Sequence, residues 1–322
     1  MKIGYLMQNR PDYLHRLLTE VPHAIVGARP DGTYAPHDLA RLVDADALIV
    51  SAEPVTDALL AACPRVRIVQ RLGVGYENVD LEATRRRGIP TCNLAGVNKE
   101  AVAEHGMLLL LALARRFVEA EGLTQAGRWR EAQPLGHDAV ELKGKTLGIV
   151  GLGDTGASLA RRARAFEMDI VYNDVRPIDP PLVAALGARF LEKDELYRTA
   201  DFVSVNVDYN ATSANLIDAR ALGLMRPHAR LICCARGGIV DEAALAAALN
   251  EGRLAGAGID VFGEEPVPPG NPLLTARNVV LTSHVAGITE DSVARMFHWA
   301  HENVRAVVER GARPRWVVNS VA

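Results

Sequence analysis

The chain contains 322 residues, of which 49% are hydrophobic and 23% are charged, and its formal net charge at pH 7 is -3. This composition is close to the globular average, which excludes a mainly disordered chain, and the charge gives no basic footprint for nucleic acid. The four cysteines form no CxxC pair, which argues against a disulfide framework or a metal site. No apolar run approaches the roughly 18 residues of a membrane span, and the N-terminus lacks a signal-peptide layout. We therefore expect a cytoplasmic protein of two domains, without a membrane or nucleic-acid partner.

Short apolar runs alternate along the chain with amphipathic helical patterns. The runs are apolar at both alternating positions and lie between polar or glycine-rich turns, which is typical of buried parallel strands. The repeated β-α-β order predicts a doubly wound α/β architecture. In chain order, the predicted strands are Ile3–Met7, Ala47–Val50, Val66–Gln70, Thr146–Val150, Asp169–Tyr172, Phe202–Val205, Arg230–Cys233, Gly256–Ile259 and Val279–Thr282.

One long helical pattern, from Lys99 to about Glu121, interrupts this order, and a looser segment follows it to Lys143. This region marks a boundary between a first and a second α/β unit. We interpret the long helix as an element between domains or between subunits. After the last helical pattern, Glu290 to Arg310, the tail Pro314–Val318 could return to pack on the first unit.

A glycine-rich turn follows the predicted strand Thr146–Val150 and precedes a helical pattern. It consists of Gly151, Leu152, Gly153, Asp154, Thr155 and Gly156. A GxGxxG motif is weak alone, but the strand before it and the helix after it strengthen it. Gly151 permits the tight turn, Gly153 lets the backbone approach a pyrophosphate, and Gly156 lets the helix pack closely. The helix N-terminus then offers free N–H groups to the phosphates, so this turn predicts a dinucleotide site.

The next predicted strand leads to Asp174, 23 residues after Gly151. An acidic side chain at this place accepts hydrogen bonds from the adenosine ribose and repels a 2′-phosphate, which favours NAD over NADP. Arg176 lies two residues later and could serve a 2′-phosphate. Alternatively, Asp174 could cap the turn that follows the strand.

Three later segments place polar residues directly after predicted strands, at the edge where open α/β sheets bind ligands. Their most telling residues are Arg236, Glu265 and His284, separated by 29 residues and then by 19. Together with Arg71–Asp80 and the helix start Ala101–His105, these segments closely resemble the D-isomer-specific 2-hydroxyacid dehydrogenase family. The resemblance covers nearly the whole chain.

This resemblance implies an α/β fold of two doubly wound parallel-sheet domains. A Rossmann-type, NAD-binding domain, residues 98–288, is inserted into a flavodoxin-like substrate domain formed by residues 1–97 and 289–322. Catalysis would take place in a cleft between the domains, with hinges near residues 94–99 and 286–290.

The resemblance also implies roles for individual residues. Arg236 would bind the carboxylate and carbonyl of the substrate, His284 would act as acid and base, and Glu265 would pair with His284. Backbone amides of Val74 and Gly75 would hold the substrate carboxylate. These residue types suit the reaction, because histidine exchanges protons near neutral pH, a neighbouring carboxylate favours its charged form, and arginine offers a rigid fork to a carboxylate.

The residues alone leave alternatives open. Arg236 could form a structural ion pair with Asp260 or Asp241. Glu264 could replace Glu265 as the partner of the histidine. His284 itself could be a satisfied buried histidine.

Further cofactor-binding candidates follow strand ends or loops, namely Asn206, Ala235, Asp260, His284 and Gly287. By resemblance, Asp260 would contact the nicotinamide amide. Asn206 is a departure, since many relatives carry a histidine there. Lys99 is another, and either attracts a second anionic group of the substrate or, as we favour, begins a helix in solvent. His105, near the start of the same helix, is expected to be structural.

We therefore expect an enzyme that transfers a hydride between NAD and C2 of a small anionic D-2-hydroxy or 2-oxo acid. Glyoxylate or hydroxypyruvate reductases and short phosphoglycerate dehydrogenases are the models, with D-lactate-type and phosphite dehydrogenase-like enzymes as alternatives. Formate dehydrogenases are disfavoured by the glutamate at position 265. An NAD(H)-binding corepressor on the same fold is a further alternative, disfavoured because long disordered flanks are lacking. The resemblance also implies a homodimer formed through Lys99–Lys143.

Overall fold

The computed structural model describes residues 1–7 and 22–321, which form two compact units. The first unit contains Met1–Asn98 and Glu290–Ala322, and the second contains Lys99–Thr289. The substrate-binding and cofactor-binding roles that the sequence suggests for the two parts of the chain stay predictions. Among the described residues, no helix has both the length and the apolar content that crossing a membrane requires.

The first unit is built on a parallel sheet of five strands in the order β2-β1-β3-β4-β5. This is the strand order of flavodoxin-like folds. Its strands are β1 (Ile3–Leu6), β2 (His23–Val26), β3 (Ala47–Val50), β4 (Val69–Arg71) and β5 (Thr91–Cys92). Its helices are α1 (Pro36–Leu42), α2 (Asp57–Ala62), α3 (Leu81–Arg86) and the C-terminal helix Glu290–Val308.

Both faces of this sheet are buried, because alternating residues of one strand point to opposite sides. On one side, Ile3 and Tyr5 of β1 pack in a cluster with Phe297 of the C-terminal helix. On the other side, Leu6 of β1 packs in a cluster with Leu42 of α1. Each fully buried apolar side chain of this size stabilises the fold by about 1.5–3 kcal/mol. Helices on both faces explain why these strands are nearly continuous apolar runs in the sequence.

The C-terminal tail runs antiparallel to the edge strand β5 of the first unit. Val317 pairs with Cys92, the Val318 N–H donates to the Thr91 carbonyl at 2.8 Å, and the Asn93 N–H donates to the Trp316 carbonyl at 3.2 Å. The predicted return of the tail to the first unit is therefore confirmed.

The second unit contains a parallel sheet of seven strands in the order β12-β11-β10-β9-β6-β7-β8. Counted from β6, this is the Rossmann order 3-2-1-4-5-6 with one more strand at the edge, so the predicted fold class is confirmed. Its strands are β6 (Thr146–Val150), β7 (Asp169–Asn173), β8 (Ala188–Phe190), β9 (Phe202–Val205), β10 (Arg230–Cys233), β11 (Gly256–Ile259) and β12 (Val279–Leu281). Its helices are α4 (Lys99–Ala114), α5 (Phe117–Gln125), α6 (Trp129–Ala132), α7 (Asp154–Ala165), α8 (Pro180–Leu186), α9 (Lys193–Thr199), α10 (Ala219–Leu224) and α11 (Glu242–Asn250).

The single long helix expected from Lys99 to Glu121 is wrong, because α4 and α5 are separate helices. The helical conformation is interrupted at Arg116, which adopts a left-handed conformation with φ of 50°. The Arg116 guanidinium binds the Asp138 carboxylate at 2.9 Å, which anchors the break to the segment that follows α6. The apolar pattern continues through the break, so it could not reveal the change of direction.

Candidate active site

The glycine-rich turn joins β6 to α7 as the sequence indicates. The Gly151 N–H donates to the Asn173 carbonyl at 2.8 Å. A Cβ on Gly156 would lie 2.2 Å from the Gly151 carbonyl oxygen, so only glycine allows the helix to approach the turn this closely. The first N–H of the helix with an acceptor is that of Ala157, which donates to Gly153. Among the described residues, no acceptor binds the N–H groups of Asp154, Thr155 and Gly156. These donors fit the pyrophosphate of NAD.

Asp174 follows β7 and braces this turn. Its Oδ2 accepts the Leu152 N–H at 2.9 Å and its Oδ1 accepts the Arg176 N–H at 2.9 Å. The side chain is only 5% exposed, while the Arg176 side chain is 70% exposed with its Nε 3.6 Å from Oδ1. Each carboxylate oxygen keeps a further lone pair for a ribose hydroxyl. The turn-capping interpretation and the ribose interpretation are thus compatible.

Asn206 and Lys99 lie at the border of the same turn. The Asn206 N–H donates to the Val150 carbonyl at 2.8 Å, and its side-chain amide donates to the Ser204 hydroxyl at 3.1 Å. Lys99 Nζ lies 3.8 Å from the Asp154 carboxylate. The structure therefore places Lys99 beside the glycine-rich turn of the second unit.

His284 and Glu265 form a hydrogen-bonded pair. His284 Nδ1 lies 2.7 Å from Glu265 Oε2, and Glu265 Oε1 accepts the Phe262 N–H at 2.9 Å. An ionised carboxylate only accepts, so the tautomer assigned from this bond carries its proton on Nδ1. His284 Nε2 is left to exchange a proton with a ligand. The structure pairs the histidine with Glu265 and not with Glu264.

Asp260 holds the loop that carries His284. Its side chain is fully buried, and its carboxylate accepts the Thr282 hydroxyl at 2.6 Å, the Val285 N–H at 2.9 Å and the Ala286 N–H at 3.0 Å. The Asp260 carbonyl accepts the His284 N–H at 2.7 Å. These bonds hold His284 in a left-handed conformation with φ of 55°, which costs of order 1–3 kcal/mol. The predicted contact of Asp260 with nicotinamide stays a prediction.

His105 of α4 supports the same loop. Its Nε2 lies 3.0 Å from the Thr282 hydroxyl oxygen and 3.7 Å from Asp260 Oδ1. Because the Thr282 hydroxyl donates to Asp260, it can only accept from the ring, so His105 Nε2 carries a proton. Sequence reasoning missed Thr282, although a hydroxyl residue two positions before the histidine at a strand end was a usable signal.

The segment that carries Arg236 packs on the segment that carries Glu265. The Arg236 guanidinium donates to the Ala235 carbonyl at 2.7 Å. A Cβ on Gly237 would lie 1.7 Å from the Phe262 carbonyl oxygen, so glycine is required for the close approach of these two backbones. Since β10, β11 and β12 are parallel neighbours, the residues after them meet at the carboxyl-terminal end of the strands, which is one edge of the sheet. Arg236, Glu265 and His284 follow these strands at this edge, and Gly287 lies in the turn beyond the histidine.

Two cysteines near this edge are not suited to nucleophilic chemistry. Burial raises the pKa of the Cys233 thiol to about 11 and that of Cys234 well above its usual value. Both are free thiols. Within the described parts of the chain, no group of three or more His, Cys, Asp or Glu side chains is arranged to hold a metal ion.

In the first unit, Val74 and Gly75 lie in the loop after β4. Both residues are half-buried, and no acceptor among the described residues binds their N–H groups. The Asn93 side-chain amide donates to the Val74 carbonyl at 2.8 Å. Sequence reasoning did not single out Asn93, which directly follows the two-residue strand β5.

Comparison with known proteins gives consistent results. Residues 107–286 match the family model described as the D-isomer specific 2-hydroxyacid dehydrogenase, NAD binding domain. The chain is 39% identical over 284 residues to a glyoxylate reductase of Korarchaeum cryptofilum, which covers 87% of this chain and 85% of that protein. It is also 39% identical over 268 residues to a D-3-phosphoglycerate dehydrogenase of Mycobacterium tuberculosis, covering 83% of this chain and 50% of that protein. The holo structure of Rhodotorula graminis D-mandelate dehydrogenase superimposes with a TM-score of 0.87 at 27% identity, covering 99% and 98% of the two chains.

Proposed function

Because the chain belongs to the D-isomer-specific 2-hydroxyacid dehydrogenase family and is an NAD-dependent oxidoreductase, we propose that it reduces a small 2-oxo acid such as glyoxylate or hydroxypyruvate. The observation that carries this proposal is the hydrogen bond of 2.7 Å between His284 and Glu265, at the sheet edge that also carries Arg236. The alignments with glyoxylate reductases cover most of the length of those proteins, which favours this substrate class.

The reaction converts a 2-oxo acid, NADH and a proton into the 2-hydroxy acid and NAD⁺. The glycine-rich turn and Asp174 would hold NADH, which would supply the hydride: a C–H bond of the nicotinamide ring would break as a C–H bond forms at C2 and the carbonyl π bond opens. In its doubly protonated form, His284 gives its Nε2 proton to the carbonyl oxygen, while Glu265 keeps the ring oriented through Nδ1. Neutral His284 then recovers a proton from solvent.

Binding of the substrate carboxylate rests on Arg236 and on the amides of Val74 and Gly75. The guanidinium offers paired N–H donors and a positive charge that stabilises the developing oxyanion. The amides of Val74 and Gly75 suit an anion, because no acceptor among the described residues occupies them. Binding and orientation of the carboxylate fix which face of C2 receives the hydride.

The experiment is an NADH-oxidation assay with glyoxylate, hydroxypyruvate, pyruvate, phenylpyruvate and 3-phosphohydroxypyruvate. We expect the highest kcat/KM with glyoxylate or hydroxypyruvate. A higher kcat/KM with 3-phosphohydroxypyruvate would favour phosphoglycerate dehydrogenase activity. Tight NADH binding without turnover of any 2-oxo acid would contradict the proposal and support a binding protein.

We further propose that the enzyme is a cytoplasmic homodimer formed through residues 99–143. Large apolar side chains are exposed on α4, α5 and α6, namely Leu108, Phe117, Val118 and Trp129. Exposed apolar residues clustered in one segment indicate an interaction surface. Analytical ultracentrifugation should give twice the chain mass of 34.7 kDa, and a monomer at micromolar concentration would contradict the dimer.

A further inference from the structure

A buried amide, Asn93, fixes the loop that the proposed function assigns to the substrate carboxylate. We propose that Asn93 is a positioning residue, which binds the Val74 carbonyl so that the Gly75 N–H points toward the carboxylate. This inference rests on the proposed function, because the role of the loop does.

The planarity of the peptide bond converts one hydrogen bond into the direction of another. In a trans peptide, the carbonyl of Val74 and the N–H of Gly75 point in opposite directions. The Asn93 side chain is 6% exposed and binds this carbonyl at 2.8 Å, so the carbonyl faces the interior. The Gly75 N–H therefore faces away from the interior, where no described residue accepts it.

The two residues before this peptide are anchored by backbone bonds. The Leu72 N–H donates to the Val50 carbonyl at 2.7 Å, and the Leu94 N–H donates to the Gly73 carbonyl at 2.8 Å. Within residues 1–7 and 22–321, no such backbone bond holds the Val74–Gly75 peptide itself. Glycine at position 75 rotates freely, so without Asn93 this peptide could turn in place.

Asn93 is itself held from two sides. Its N–H donates to the Trp316 carbonyl of the C-terminal tail at 3.2 Å, and its carbonyl accepts the Gln70 side-chain amide at 3.2 Å. Gln70 is fully buried and accepts the Asn303 amide at 2.7 Å. The tail thus contributes to the orientation of the Val74–Gly75 peptide through Asn93.

The test is the variant Asn93→Ala, assayed with the 2-oxo acid that wild type reduces best. Losing the alignment of an N–H donor to a carboxylate should raise the substrate KM about tenfold or more. The KM for NADH should stay unchanged and kcat should change much less than the substrate KM. Asn93→Asp keeps the shape but cannot donate, so it should raise the substrate KM at least as much.

Asn319→Ala is the matched control. Asn319 is 5% exposed, donates to the Ile89 carbonyl at 2.8 Å and accepts the Thr91 N–H at 3.1 Å, without touching residues 73–75. It attaches the same tail to the same strand. This variant should lose thermal stability like Asn93→Ala while keeping the substrate KM of wild type. Equal substrate KM values in the two variants would overturn the proposal.

A binding measurement separates this proposal from the proposed function. Oxamate, an unreactive carboxylate analogue of a 2-oxo acid, is titrated into the complex of the protein with NADH and its binding is measured by calorimetry. This measurement does not depend on turnover. We expect Asn93→Ala to weaken oxamate binding about tenfold, as a lost hydrogen bond to a charged group predicts. Wild type that binds oxamate but reduces no 2-oxo acid would contradict the proposed function alone. Oxamate binding that is absent in wild type, or equal in wild type and Asn93→Ala, would overturn the role of Asn93.

Discussion

The two units fix their functional loops with opposite hydrogen-bonding chemistry. In the second unit, carboxylates accept backbone N–H groups, as the buried Asp260 does from Val285 and Ala286 and the exposed Glu265 does from Phe262. In the first unit, buried carboxamides donate to backbone carbonyls, as Asn93 does to Val74. The difference follows from what each loop presents.

Where side chains carry out the chemistry, the backbone N–H groups of the loop are not needed for the ligand. Carboxylates can therefore bind these N–H groups strongly and hold the loop. Where backbone N–H groups must stay free for a ligand, only the carbonyls can be held, so the holding group must be a donor. A neutral amide provides that donor without placing a charge beside the anionic ligand. We therefore expect the largest losses from changes to the side chains of the second unit that carry out or hold the chemistry, His284 and Asp260.

The largest effect should come from His284→Ala, which removes the proton donor. We expect kcat to fall by about 10²–10⁴-fold with little change in NADH binding. Stopped-flow measurement of NADH oxidation at saturating substrate checks this. His228→Ala is a matched control, because His228 is exposed and binds Asp201 at the opposite edge of the sheet. If both variants retained wild-type kcat, His284 would not be the acid.

A smaller but still large effect should come from Asp260→Asn. An amide nitrogen in place of one carboxylate oxygen would face a donor, Ala286 N–H or Val285 N–H, so one buried N–H loses its acceptor. We expect the free energy of unfolding to fall by about 3 kcal/mol and kcat to fall because His284 is no longer held. Urea denaturation and steady-state assays measure the two losses.

The same substitution at Asp201 provides the comparison. Asp201 accepts the Thr146 N–H at 2.8 Å at the amino edge of the same sheet, away from His284. Asp201→Asn should lower stability and leave kcat unchanged. Parallel losses of kcat in the two variants would show that stability, and not the position of His284, limits activity.

The first unit also contains a buried histidine with a shifted pKa, His301. His301 is buried and lies 2.7 Å from the Tyr5 hydroxyl oxygen. Burial lowers the pKa of His301 from 6.5 to about 4, with further contributions from Arg305 and His298, while Glu302 opposes the shift. The unfolded chain therefore binds this proton more readily, so stability is fully present above pH 6.5 and is lost as the pH falls toward 4.

Between pH 7.5 and pH 5 this group should lower the free energy of unfolding by about 2 kcal/mol. His301→Gln keeps a hydrogen-bonding group near Tyr5 but cannot titrate. Urea denaturation at both pH values should show a smaller loss in this variant than in wild type, since all other titrating groups are shared. Equal losses would mean that His301 remains neutral in both states or is not buried.

The strands that the sequence predicted most accurately are those buried on both faces. The observed bounds of β3, β6, β9, β10 and β11 match the predicted ones, because each is a short, mainly apolar run between turns. The strands that sequence reasoning missed are β2, β5 and β8, and all three are sheet edges. An edge strand has a neighbouring strand of the sheet on one side only and can be very short or partly exposed, so its sequence pattern is weak.

The residues of the candidate site also divide into those that the sequence reveals and those that it does not. Residues that must be one chemical type at one spacing, such as Arg236 and His284, are visible in the sequence. Asn93 and Thr282 are not, because their importance lies in which backbone group they bind, and this depends on loop conformations that no periodicity encodes. The break at Arg116 was hidden for the same reason.

The smallest effect should come from Asp174→Ala, where the two interpretations of this carboxylate predict different results. As a ribose ligand, its loss should raise the KM for NADH about tenfold, roughly one charged hydrogen bond. It should also lower the KM for NADPH, since the charge that repels a 2′-phosphate is gone and Arg176, 3.6 Å away, loses its partner. As a turn cap alone, its loss would raise both KM values equally.

The double variant Asp174→Ala/Arg176→Ala separates these outcomes further. If Arg176 binds the 2′-phosphate once Asp174 is removed, the gain with NADPH must disappear in the double variant while the loss with NADH persists. A gain that survives in the double variant would mean that removal of negative charge alone sets the preference for NAD.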